Sequence, residues 1–64
     1  MTLKKTLQQR EKELQALLAT PAGQAELQEL ETLYTAKHSH PRSPRASIIT
    51  YLLVYEREHG LIAG

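Results

Sequence analysis

The densest group of chemically active side chains is the run Lys37-His38-Ser39-His40-Pro41-Arg42-Ser43-Pro44-Arg45. Lys37, Arg42 and Arg45 are cations of the kind that contact phosphate oxygens, and backbone N–H groups at a helix start favour the same ligand. No aromatic residue is interleaved, so stacking on single-stranded bases is not expected there. The plainer reading is a solvated connector whose cations offset the glutamates of the preceding segment. His38 and His40 have chelating spacing, with His59 further along. A metal centre needs three or four ligands and a supporting hydrogen-bonded shell, so no metal is expected. Ser, His and Glu are present, but no spacing joins a nucleophile to a base and an orienting group. The expectation is a non-enzymatic protein with no catalytic residues and no cofactor. Ser43-Pro44 fits a proline-directed phosphorylation site, and helix capping explains it more simply. Tyr51 and Tyr55 stand one turn apart, as a ligand-stacking pair would. Packing in a core or interface accounts for them better, since a tyrosine ring buries area while its hydroxyl stays wet.

Composition removes several classes of function. The 64 residues contain no Cys, so disulfides and thiolate metal sites are excluded. Asp and Asn are also absent, and all seven acids are Glu. An EF-hand loop, an aspartyl phospho-acceptor, an Asp-containing triad and N-glycosylation are therefore ruled out. A net charge of +1 implies no strong global attraction to nucleic acid or to an anionic membrane. The N-terminal stretch is polar rather than a hydrophobic signal core. The longest mostly apolar run, Ile48 to Tyr55, is too short to span a bilayer. The cytoplasm is the default location.

Residues 45 to 62, RASIITYLLVYEREHGLI, close on Glu-x-x-Gly-Leu-Ile after a leucine-rich helix. This close resembles the end of a winged-helix recognition helix, over about 18 residues. Two departures stand against it: Ala63-Gly64 provides no wing hairpin, and Ile49 and Leu53 occupy places where base-reading groups would stand. Gly-Leu-Ile is equally an ordinary helix C-cap, and no family is assigned.

The elements that would position these groups are helices. Eleven Leu and seven Ala, with many Glu, Gln, Lys and Arg, are strong helix formers. Leu3, Leu7, Leu14, Leu17 and Leu18 share one face of a helix over about 2–19, with Lys5, Gln9 and Lys12 opposite. Arg10 interrupts that stripe, which leaves only a weak coiled-coil pattern. Thr20-Pro21 is a stop and a restart, with Thr20 as N-cap and Pro21 at the first helical position of a second helix over 21–38. Gly23, Leu27, Leu30 and Tyr34 lie on its inner face, with Leu33 at the margin. Almost no linker separates the two helices, so a sharp corner is expected at Thr20-Pro21 rather than a flat return. Ser43-Pro44 repeats the cap logic for a third helix over 44–59, with Ser47 as an alternative start. Gly60 is suited to a left-handed C-cap, with Leu61 placed for the accompanying contact.

The third helix decides the expected architecture. Ile48, Tyr51, Leu52 and Tyr55 form one apolar face, Ile49 and Leu53 a second, and Val54 extends the arc. A helix that is apolar most of the way round is buried on most sides, and two short helices in an L would hardly surround it. The expectation is an all-α, single-domain protein of three short helices forming a helical dimer. Leu7, Leu14, Ile48, Ile49, Leu52, Leu53 and Tyr55 would form the interface. Function would then be self-association and protein–protein binding as an accessory or regulatory subunit. The competing expectation is a small nucleic-acid-binding protein using Lys37, Arg42 and Arg45.

Overall fold

The computed structural model describes residues 4–38 and 41–63, with only the backbone of His38. Three helices follow in order: α1 (Leu7–Leu18), α2 (Pro21–His38) and α3 (Ile48–Glu58). The all-α expectation holds.

α1 begins at Leu7 rather than near residue 2 because Thr6 caps it. The Thr6 hydroxyl accepts from the Gln9 N–H at 3.2 Å, and the Gln9 side chain accepts from the Thr6 N–H at 2.9 Å. This reciprocal box satisfies two N–H groups that the helix cannot. Before it, the chain is extended and pairs with the C-terminal tail. Ala63 N–H donates to the Lys5 carbonyl at 2.8 Å, and Leu7 N–H donates to the Ala63 carbonyl at 3.0 Å. The Leu3 of the expected stripe lies outside the described residues.

The junction at Thr20-Pro21 forms as its residues dictate. The Thr20 hydroxyl accepts from the Gly23 N–H at 3.0 Å, and the Thr20 carbonyl accepts from the Gln24 N–H at 2.9 Å. The turn brings the two backbones into contact. Gly23 is buried against the backbone of Leu17, so closely that a Cβ there would overlap the Leu17 carbonyl. Further along, Arg10 of α1 and Tyr34 of α2 meet on one carboxylate, that of Glu56. The corner expected at Thr20-Pro21 stands, and α3 meets both helices through Glu56. Glycine at position 23 lets the two backbones touch at the corner.

α3 starts at Ile48, not at residue 44. Ser47, the alternative start, caps it by accepting from the Thr50 N–H at 3.0 Å. Ser43-Pro44 forms a turn instead, closed by Ala46 N–H donating to the Ser43 carbonyl at 3.0 Å. Arg42 holds the Ala46 carbonyl at 2.7 Å, which fixes that turn as a unit. At the other end Gly60 takes the left-handed conformation with φ 68°. Gly60 N–H donates to the Arg57 carbonyl at 3.2 Å and Leu61 N–H to the Glu56 carbonyl at 2.8 Å, the paired bonds of a Schellman cap. The side chain that follows it inward is Ile62, 6% exposed, whereas Leu61 is 52% exposed. Leu61, placed for the cap contact, thus stays half-exposed, while the cap turns the tail toward α1 and its bridge with Thr6 orients Ile62 inward.

Each helix contributes one completely buried leucine, Leu14, Leu27 and Leu52. Tyr34, Ile49, Leu53, Tyr55 and Ile62 complete the core around them, and Leu7, Leu17, Leu30, Ile48 and Tyr51 pack against its edge. Full burial of one such aliphatic side chain stabilises by about 1.5–3 kcal/mol. No helix among the described residues is long and apolar enough to cross a membrane.

Candidate functional site

The residues expected to meet a second chain are placed inside this one. Leu14 and Leu52 are fully buried, Ile49, Leu53 and Tyr55 nearly so, and Leu7 and Ile48 partly. The premise that two short helices leave α3 unwrapped is corrected. α1 and α2 together with the tail residue Ile62 cover it, because the tail supplies a side chain that the three-helix count left out. Val54 alone of the α3 arc remains open, at 50% exposure.

The basic loop is divided in role. The Arg42 Nε donates to the Glu31 carboxylate at 2.8 Å while its Nη1 holds the Ala46 carbonyl, so this guanidinium ties the loop to α2. Lys37 and Arg45 are exposed. The His38 side chain and His40 lie outside the described residues. His59 is at the α3 C-cap, its ring stacked on Tyr55 at 4.2 Å with Nδ1 2.8 Å from the Tyr55 carbonyl. Among the described residues no three His, Glu, Asp or Cys side chains are grouped to hold a metal ion. Tyr51 and Tyr55 part company. Tyr51 shares a 2.9 Å hydrogen bond with Thr35, whereas Tyr55 stacks on Tyr34 at 3.8 Å between ring centres.

The polar centre that sequence reasoning missed lies where the three helices meet. Glu56 is 3% exposed, and Arg10 reaches it with a two-pronged contact. Nε donates to Oε1 at 2.7 Å and Nη2 donates to Oε2 at 3.1 Å. The Tyr34 hydroxyl donates to Oε2 at 3.2 Å. Arg10 also donates to Glu13 at 3.2 Å, and Glu13 is bound on its other oxygen by Lys5. Burial disfavours the charged guanidinium, but the hydrogen bonds and negative charge of Glu56, with Glu13 adding to them, leave Arg10 above its ordinary range. Burial pushes the Tyr34 hydroxyl up, and the adjacent Glu56 carboxylate adds to the shift. The hydrogen bond from Lys5, then that from Arg10, holds Glu13 below the usual carboxylate range. Both Glu56 oxygens are engaged, so the cluster reads as a lock between helices rather than a proton-transfer site. Its signal was present in the sequence: Arg10 sits in the α1 stripe, and Glu56 follows Leu52 and Leu53 at helical spacing. Two opposite charges on two inner faces are a reason to pair them.

A surface groove is bounded by several elements. Leu18, Leu27 and Ile48 give it an apolar floor, with Arg42 and Glu31 at its rim. Comparison with protein-family models, with curated proteins and with solved structures finds no match to this chain.

Proposed function

We propose that the protein acts without catalysis, through self-association and protein–protein binding, as a small accessory or regulatory subunit. The observation that carries this reading is the set of large apolar side chains held in water: Leu18, Leu33, Val54 and Leu61, each 40–52% exposed. Among the described residues this short chain buries eight large apolar side chains and still presents four more. Leu18 adds weight, since it floors the groove beside Ile48. Apolar surface within a polar rim is the usual composition of a protein-binding face. The nucleic-acid alternative is the weaker reading, because Arg42 serves the loop's own structure and leaves Lys37 and Arg45 as its outward cations.

Sedimentation equilibrium over a rising concentration series tests the reading. The average mass is expected to climb from 7.2 kDa toward a small multiple of it. A mass that stays at 7.2 kDa up to millimolar protein rules out self-association.

A further inference from the structure

We infer that the self-association surface is the exposed flank of α2, at the margin of its inner face, joined to the same flank of a second copy in antiparallel fashion about a two-fold axis at Leu33. The inference rests on the self-association reading above and replaces the expected α3 interface. Glu29, Leu33 and Lys37 succeed one another at one-turn intervals and so form a single stripe along the helix. All three are exposed, Leu33 at 47%. Exposed Glu26 and Ala36 and half-buried Leu30 flank the stripe. Among the described residues, Glu13, Glu31 and Glu56 each hold an ion pair within the chain, whereas Glu26, Glu29 and Lys37 hold none.

The stripe is self-complementary in one orientation only. Glu29 and Lys37 are equally distant from Leu33, so a two-fold axis through Leu33 sets Glu29 of each copy beside the partner's Lys37, twice. The two Leu33 side chains meet on the axis, and Leu30 of each copy faces the partner's Ala36. A parallel pairing would instead oppose Glu to Glu and Lys to Lys, which repel. A two-fold contact uses the same patch on both subunits, which is the symmetry this arrangement has. One helix face buries less than a standard interface, so the dimer is weak and reversible. Its ion pairs are solvent-accessible, so added salt loosens it.

Charge reversal with mixing tests the inference, read by sedimentation equilibrium at near-millimolar protein and low salt, with far-UV circular dichroism reporting the fold. These positions are exposed, so helicity is expected to persist in each variant. Leu33→Glu is expected to return the mass to that of the monomer. Glu29→Lys and Lys37→Glu each place like charges across the axis, and each is expected to weaken association at least about tenfold. Mixed in equal amounts, they form two opposite pairs again, and the heterodimer is expected to recover the wild-type mass. If the wild type dimerises but Leu33→Glu dimerises equally well, or the mixture recovers nothing, the α2 face is refuted while self-association stands. A monomeric wild type overturns both.

Discussion

Among the described residues the Arg10–Glu56 pair holds the one buried charge, with side-chain exposures of 21% and 4%. Such a pair contributes little net stability over apolar side chains of the same volume, but losing one partner strands the other in the core. Arg10→Ala is therefore expected to cost about 3 kcal/mol, the lower end for a buried pair because Arg10 retains some solvent. A core of this size rarely supplies more than about 3–5 kcal/mol, so the variant should keep only about 0–2 kcal/mol and be measurably unfolded at room temperature. The double change Arg10→Met with Glu56→Leu should recover most of that loss. Urea titration followed by circular dichroism measures both. An Arg10→Ala protein within about 0.5 kcal/mol of the wild type would show that the lock is ornamental. Arg10 was legible as an anomaly in its stripe. Glu56 was likewise visible on the inner face of α3, but which charge each would meet was not, because the two residues are 46 positions apart and only tertiary packing makes them neighbours.

At the scale of the elements, local chemistry was readable wherever it acts within a few residues. Thr20-Pro21 and Gly60 behave as their side chains require, since an N-cap hydroxyl and a glycine in the left-handed region answer to their own turn. Ser43-Pro44 has the same chemistry as Thr20-Pro21 and yet does not start a helix. Arg42, anchored on Glu31, closes a turn there and passes the cap to Ser47. Gly23 belongs to this scale because it sets how closely α1 and α2 approach. Gly23→Ala would gain about 1 kcal/mol in helix propensity. Its methyl group, however, meets the Leu17 backbone, which no rotamer change can move aside. Net destabilisation of about 1–3 kcal/mol is expected, as for an overpacked core. A rise in midpoint on thermal or urea unfolding would contradict the close approach.

The whole molecule is closed by its tail. Ile62 fills the core from the C-terminal side, and the Thr6–Ala63 bridge fastens that segment to the entry of α1. Ile62→Ala is expected to cost about 2–5 kcal/mol, the range for an aliphatic truncated to Ala in a core. The Leu7 and Ala63 amides, which form the bridge, should lose protection in hydrogen exchange together with the core. If they exchange freely in the wild type, the tail is no part of the fold. Composition and helical periodicity alone determined the three helices, the break at Thr20-Pro21, the inner face of α2 and most of the core, because propensities, caps and apolar stripes act over one or two turns. Tertiary structure decided how closely α1 and α2 approach at Gly23, that Ile62 rather than Leu61 points inward, and that Arg10 meets Glu56. These depend on which surfaces reach each other first in three dimensions, and no spacing along the chain carries that distance. The same consideration encloses the α3 face that was expected to meet a second chain: how greasy a helix is can be read locally, but what covers it is a property of the assembled chain.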